Sequence, residues 1–292
     1  MDVMSMTGFG RGEFSQGAWK VIVEIGTVNR KQFDCNVSMP RELVSLDSKL
    51  QSLIHQRVTR GYVKGQVTIV ATGDDALTLN TAFLRAEIDA LRNVASELGL
   101  ADDLSASSLL RIPEAVKPSI LPDDPAEIWP SIERATTFAL EKLTEMRRTE
   151  GLALVKDLRE RFAGLRKLVE LIAGRAPLVP KNYHLLLQRR LADLLGGTTP
   201  VEPDVLAKEV ALFADRCDIS EELTRLDSHF QQAEKILCEG GACGRTLDFL
   251  CQEMFREINT TGSKANDAEI AKCVIGFKAG LECIREQVQN IE

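Results

Sequence analysis

Four polar side chains in the last third of the chain, Asp218, Glu222, Arg225 and His229, are spaced by four, three and four residues. That is the spacing of one face of an α-helix. Two carboxylates, a guanidinium and an imidazole in line supply what phosphodiester chemistry demands. Carboxylates hold a cation, a guanidinium orients a phosphate, and imidazole, which titrates nearest neutrality, moves a proton. The same spacing equally suits an intrahelical ladder of ion pairs with no chemistry attached. A second set follows over residues 245–259. Leu247, Leu250, Met254 and Ile258 mark an apolar helix face, and Glu253 and Glu257 stand four apart on another. Paired carboxylates offer the oxygen donors that Mg²⁺ or Mn²⁺ takes, or they simply face solvent. Arg256 and Asn259 flank them, and residues 260–264 read as a turn bringing hydroxyls, backbone amides and the Lys264 ammonium to the helix end.

Polar stripes of this kind need apolar stripes to hold them in place. Ile219, Leu223, Leu226, Phe230, Ala233 and Leu237 form one heptad seam, and Ile270, Val274, Phe277, Leu281, Ile284 and Val288 form another. Such seams pack two helices at a shallow angle, within one chain or between chains. Spacing leaves both open, and the expectation adopted is an oligomer in which a seam helix packs between chains. From residue 79 onward every periodic segment is helical. A helix runs to Leu98, and a proline-rich connector over 113–130 cannot be a continuous helix. A long pattern from Ile132 to Ile172 is interrupted near Gly151, as in one kinked helix. A further helix follows Pro177 and Pro180, runs through Leu195 and ends at Gly196-Gly197.

The first seventy residues read as a sheet. Residues 19–25, 33–39 and 63–72 alternate apolar and polar positions, and residues 4–14 are a weaker strand. In that strand Gly8, Gly10 and Gly12 suggest a bulge or a close backbone approach. Pro40 opens a short helix carrying Leu43, Leu46, Leu50, Leu53 and Ile54. The expected class is α+β: a small N-terminal mixed sheet with a helix over 1–155, followed by a mostly α-helical domain with long heptad-patterned helices over 156–292.

A chain of 292 residues, 44% hydrophobic and 27% charged, has the balance of a soluble globular protein. That excludes disordered, collagen-like and low-complexity classes. No apolar run approaches the ~20 residues of a membrane span, and the N-terminus lacks signal-peptide features, so a cytoplasmic protein with no membrane partner is expected. Seven cysteines without a C-x-x-C pair read as buried thiols in a reducing compartment. The net charge of −7 conceals a strong asymmetry: residues 147–190 carry eleven basic and four acidic side chains, residues 191–292 ten and nineteen. The basic segment suits either a polyanionic partner or helix faces paired with the acidic segments. Gly240 to Thr246 fails as a phosphate loop, because its glycines are too close and Arg245 replaces the required lysine; it reads as a loop between helices. Hydrolase-elbow, zincin and dinucleotide motifs are absent.

Several blocks resemble the YicC family of bacterial proteins. They include Ser5-Met6-Thr7-Gly8-Phe9-Gly10, Glu24 with Val28-Asn29 and Asp34, Pro40-Arg41-Glu42-Leu43, and Arg60-Gly61 with Val63. In the C-terminal half, Arg147 with Glu150-Gly151, the run from Asp218 to His229, the run from Gly244 to Lys264, and the closing Arg285 to Glu292 are similar to the family signature. The sequence departs from the pattern at Gly26, where the family's usual residue is arginine. The resemblance implies a homohexameric endoribonuclease that depends on a divalent cation. It acts on single-stranded or hairpin RNA, small regulatory RNA included, and its C-terminal domain carries catalysis. On that footing Glu253 and Glu257, with Glu222, are expected to hold Mn²⁺ or Mg²⁺, and Arg225 and Arg256 to grip phosphate oxygens. His229 is the candidate general acid or base, completing a catalytic set with Arg225, Glu253 and Glu257. Expected RNA contacts are Arg30, Arg60, Arg147, Arg148, Arg245, Arg256, Asn259 and Lys264. Expected partners are RNA, further copies of the chain gathered around a central cavity, and other RNA-decay enzymes. The alternative is a non-catalytic oligomeric RNA-binding adaptor for small-RNA decay, for which an acidic cluster facing a polyanion would serve no purpose. A helical-bundle protein with no nucleic-acid partner is the third option, and it would lack salt-dependent RNA affinity.

Overall fold

The N-terminal region forms four strands, β1 (Gly8–Gln16), β2 (Trp19–Val28), β3 (Asp34–Ser38) and β4 (Tyr62–Ala71), with alternating β-branched residues in β2 and β4. The order in the sheet is β1-β2-β4-β3. The first two pairings are antiparallel, and β3 runs parallel to β4. The computed structural model describes residues 3–17, 19–30, 32–72, 78–79, 81–101, 104–109, 116–117, 124–194 and 203–292. It divides into two units, Thr7–Met146 and Met1–Met6 with Arg147–Glu292, here called the sheet unit and the helical unit. The class is α+β, as the sequence predicts.

Period-two alternation sends Val21, Val23, Ile25, Val63 and Val67 to one buried face of the sheet. A 3₁₀ turn (Arg41–Leu46) and α1 (Asp47–His55) cover that face with Leu43, Leu46, Leu50 and Ile54. The first half of α4 (Pro125–Arg175) adds Ile128, Ile132, Ala135, Ala139 and Leu143. The approach of β1 to α4 is unusually close. A Cβ on Gly10 would lie 1.9 Å from the Ala139 carbonyl oxygen, and one on Gly12 would lie 1.9 Å from that of Ala135. Two strand residues advance about 6.8 Å and one helical turn of four residues about 6 Å, so glycines two apart stay in step with alanines four apart. The other face of the sheet carries Phe9, Arg11, Lys64 and Gln66 and is exposed. The sheet unit also holds the short pair β5 (Thr78–Leu79) and β6 (Val116–Lys117), with α2 (Thr81–Leu98) and α3 (Ala106–Leu109).

The helical unit contains the second half of α4, then α5 (Leu178–Leu194), α6 (Pro203–Arg216), α7 (Ser220–Glu239), α8 (Gly244–Lys264) and α9 (Ala268–Val288). Its core joins Val155, Leu158, Phe162, Leu165 and Ile172 of α4 to the buried stripes of α7, α8 and α9. Asp267 caps α9 by accepting from the Glu269 and Ile270 amides at 2.9 and 3.1 Å. Arg175 reaches the same carboxylate at 3.1 Å. Burial alone would raise the Asp267 pKa, but the guanidinium and the two amides outweigh it and hold it below the ordinary carboxylate range.

Three expectations need correction and one boundary moves, while a single long helix across Gly151 is as expected. Both heptad seams are spent within the chain: Leu226, Phe230, Ala233 and Leu237 of α7 and all six seam residues of α9 are buried in the core, so neither seam remains to pack between chains. Residues 260–264 continue α8 rather than turning, because the Thr260 and Thr261 hydroxyls donate back to the Arg256 and Glu257 carbonyls. Gly262 lets α8 pass Val274, whose Cγ1 would be 3.0 Å from an added Cβ. α4 passes unbroken through Gly151, where a Cβ would stand 2.2 Å from the Val3 carbonyl oxygen. Pro130 lies inside that helix, whose first turn is capped by the Asp124 carboxylate accepting from the Ala126 amide at 2.8 Å. All seven thiols are free, but only Cys217, Cys243 and Cys251 are buried. Most of the proline-rich connector and Gly196-Gly197 lie outside the described residues.

Gly10→Val is expected to destabilise the sheet unit by about 3 kcal/mol, because the colliding atoms belong to backbone. Gly164→Ala, in open space on α4, should instead stabilise by roughly 0.5–1 kcal/mol; urea melts of the two variants test the opposite signs. Asp267→Ala should cost about 1–2 kcal/mol at pH 7. A lowered folded-state pKa gives stability above the unfolded value that is lost as pH falls through the folded one. The gap between wild type and variant in urea melts should therefore shrink below pH 4.

Candidate active site

The loop between α7 and α8 is tight because Gly240 and Gly241 adopt φ of 75° and 80°, in the left-handed range, and the Cys243 amide closes on the Gly241 carbonyl at 2.7 Å. The two helices therefore fold back antiparallel, and their buried stripes lock together: Leu226, Phe230, Ala233 and Leu237 from one, Leu247, Leu250, Met254 and Ile258 from the other. With the apolar positions committed to the core, the neighbouring polar positions meet along the edge of the pair. The Lys264 Nζ donates to Glu222 Oε1 at 2.6 Å, and Arg225 Nη1 reaches Glu257 Oε1 at 3.3 Å. Arg225 also bonds Glu221 one turn back. Continuing this antiparallel register by one turn puts position 229 across from position 253.

Both inner carboxylates are buried, Glu222 with 5% of its surface exposed and Glu257 with 8%. Their charges shape the cations beside them. The Glu222 carboxylate raises the Lys264 pKa above its ordinary value, and Glu257 followed by Glu221 raises that of Arg225. Two buried polar atoms of the set have no hydrogen-bond partner among the described residues, Glu222 Oε2 and His229 Nδ1. An unpartnered buried polar atom costs about 1–3 kcal/mol, and a bound water, a bound ion or a catalytic role each accounts for one in a native structure.

The structure brings together Glu222, Arg225, Glu257 and Lys264 and sets His229 on the same face of α7. Asp218 departs from the expected stripe. It precedes α7 and accepts from the Ser220 amide and hydroxyl at 3.0 and 2.5 Å, which lowers its pKa. Glu253 turns to Arg256 at 2.5 Å. The trio Glu222, Glu253 and Glu257 is therefore no ready-made metal cage: each carboxylate faces its own cation, and no group of three or more His, Cys, Asp or Glu suited to a metal ion occurs among the described residues. Glu222 alone keeps a spare buried oxygen. That fits an ion of the Mg²⁺ type, which takes one or two carboxylates and completes its shell with water and phosphate oxygens.

Arg147 is corrected from an RNA contact to a structural clasp. It is 4% exposed, donates from Nε to the Ser5 carbonyl at 2.6 Å and pairs with Glu292, where the chain's two ends form a short ladder. Much of the basic segment is likewise committed: Arg159 to Glu234, Arg161 to Asp157, Arg166 to Asp227 and Arg175 to Asp267. Arg148, Arg245 and Arg256 stay exposed, and Asn259 is half-buried on α8. In the sheet unit, Arg30 pairs with Asp34 and lies 5.5 Å from the Tyr62 ring centroid, while the Arg60 Nε is buried without a partner. Sequence reasoning missed Lys264 as the counter-ion of Glu222. Forty-two residues separate them, and only the antiparallel register could have paired them.

Residues 3–156 match the family described as Endoribonuclease YicC-like, N-terminal region, and residues 172–292 match Endoribonuclease YicC-like, C-terminal. A protein of Clostridioides difficile (strain 630) named "Probable endoribonuclease YicC" is 36% identical over 291 residues, 99% of each chain. The chain belongs to the YicC-like family. A second YicC-like relative, from Haemophilus influenzae and carrying the same name, is 28% identical over 292 residues, 99% of this chain and all of its own. The α7/α8 pair falls wholly within the C-terminal YicC-like match.

Lys264→Ala would leave Glu222 buried with both oxygens unpaired. The expected loss is about 1–3 kcal/mol of stability for the helical unit, read by urea denaturation. Lys264→Arg should recover most of it.

Proposed function

We propose that the protein is a divalent-cation-dependent endoribonuclease cutting single-stranded or hairpin RNA, small regulatory RNA included, along the α7/α8 edge. The observation that carries this reading is the pair of unpartnered buried atoms, Glu222 Oε2 and His229 Nδ1, on the helix face that also presents Arg225. Arg225, with its side chain 56% exposed, and Arg256, at 71%, are paired with carboxylates yet open enough to solvent to exchange them for phosphate oxygens, which arginine grips in bidentate fashion. His229 exchanges the proton between the attacking or leaving oxygen and solvent. Glu222, through its spare oxygen, would hold Mn²⁺ or Mg²⁺, with Glu257 and Glu253 beside it in ion pairs of their own. When bound, such an ion neutralises charge developing on the phosphate and acidifies its water.

The same reading includes a cytoplasmic homohexamer enclosing RNA in a central cavity, with other RNA-decay enzymes as partners. Exposed apolar residues on α5 and α6, among them Leu185, Leu186, Val205 and Leu212, support contact between copies. No described helix is long and apolar enough to cross a membrane.

The test is cleavage of an end-labelled hairpin RNA in EDTA and in added Mn²⁺. Metal-dependent cutting is expected for wild type. His229→Ala should reduce it by about 10²-fold or more, as should Glu253→Ala/Glu257→Ala. Cutting of equal rate in every sample would reject the site, and tight binding without cutting would favour an RNA adaptor.

A further inference from the structure

The exposed face of the sheet contains a groove of about 440 Å³ whose lining includes Phe9, Gly26, Val28, Tyr62, Lys64 and Gln66. That volume is in the range of small-ligand sites. Its shape follows from one row of cross-strand neighbours. Phe9 pairs with Gly26, and Gly26 pairs with Lys64. Adjacent strands lie about 4.8 Å apart, so an aromatic ring and an ammonium stem stand roughly 10 Å apart across a gap in the row.

Gly26 is the unexplained residue. Its φ is not positive, and an added Cβ would meet only the Gly8 and Lys64 carbonyl oxygens, at 3.7 and 3.9 Å. Packing demands Gly10 and Gly12 in the neighbouring strand, but it does not demand Gly26. A strand glycine that neither a bulge nor a neighbouring backbone requires suits the close approach of a ligand.

The groups around the gap specify what that molecule is. Phe9 is 50% exposed and Val28 52%, an aromatic and an aliphatic wall held out to solvent. Glu24, also in the lining, shares Arg11 at 3.4 Å with Glu13, which Lys20 meets as well, and Arg30 pairs with Asp34. The Lys64 ammonium and Gln66 amide have no ion-pair or hydrogen-bond partner among the described residues, leaving an uncompensated positive charge on the groove. We propose that the groove seats one unpaired nucleotide of RNA, its base stacked on Phe9 in the gap over Gly26, its phosphate at Lys64 and its polar edge at Gln66. This rests on the RNA reading above. Only an unpaired base can offer its flat face to an aromatic ring, because bases within a duplex are already stacked. A covering apolar protein surface would instead desolvate the ammonium and the amide without supplying acceptors.

The experiment measures anisotropy of a fluorescein-labelled single-stranded hexaribonucleotide with the full-length protein in EDTA. Gly26→Leu, whose Cβ would meet nothing closer than 3.7 Å, and Phe9→Ala should each raise Kd by about tenfold or more. The thermal transition of Gly26→Leu should be no lower than that of wild type. A duplex of the same length should bind more weakly and ignore Gly26→Leu. An unchanged Kd in Gly26→Leu overturns the proposal, as does a duplex that is equally sensitive. A shift in the sedimentation of RNA-free Gly26→Leu would also overturn it, by assigning the groove to a second copy of the chain. Because EDTA separates binding from cutting, Gly26-dependent binding without any cleavage in Mn²⁺ would keep the groove and remove the nuclease. Cleavage with Gly26-independent binding would do the reverse.

Discussion

Backbone-to-backbone contact along α4 is the constraint on which both units depend. In the sheet unit, Gly10 and Gly12 let β1 lie directly on the Ala135 and Ala139 turns. In the helical unit, Gly151 admits the chain at Val3 and Arg147 holds that strand through the Ser5 carbonyl. A single methyl at any of these glycines would meet a carbonyl oxygen at 1.9 to 2.2 Å. Such contacts gain dispersion from close packing and leave no room to relax, so they set the register of strand on helix more sharply than a larger apolar side chain could.

The second unit uses its apolar order to hold charge where charge is costly. Once the stripes of α7, α8 and α9 are buried, Glu222 and Glu257 are carried below the surface at the edge of the stripe. Lys264 and Arg225 answer them from the facing helix. Buried ion pairs of this kind are weak contributors to stability, since desolvation consumes most of the Coulomb gain. Their value lies in fixing which oxygen and which nitrogen remain available. Here these are one oxygen of Glu222 and one nitrogen of His229. The Asp267 cap of α9, bound by Arg175, uses charge differently, because its carboxylate is fully engaged by two amides and a guanidinium.

The sheet unit divides its two faces between opposite tasks. One face is closed by α1 and α4 down to contacts that exclude a methyl group. The other keeps an aromatic ring, an ammonium and an amide around a missing side chain. Glycine has a different meaning on each: at Gly10 and Gly12 the neighbouring helix occupies the space, whereas at Gly26 the space stays open.

Periodicity by itself determined most of the fold. The strands read over 19–25 and 63–72 and the helical seams of 219–237 and 270–288 could be read directly, because burial imposes periods of 2 and 3.6 on a chain wherever one face must be apolar. At Gly10 and Gly12 the sequence offered a bulge or a close approach, and packing on α4 chose the second. The candidate site residues could be read as types on helix faces, but not as partners. Whether Glu222 meets Glu253 or Lys264, whether Arg147 faces RNA or Glu292, and whether a seam closes within the chain are questions of distance between segments remote in sequence. Only tertiary packing decided them. A charged side chain reaches a few ångströms and takes the nearest opposite charge. The antiparallel register of α7 on α8 set which charge that was for Glu222 and Glu257, and the terminal ladder did so for Arg147.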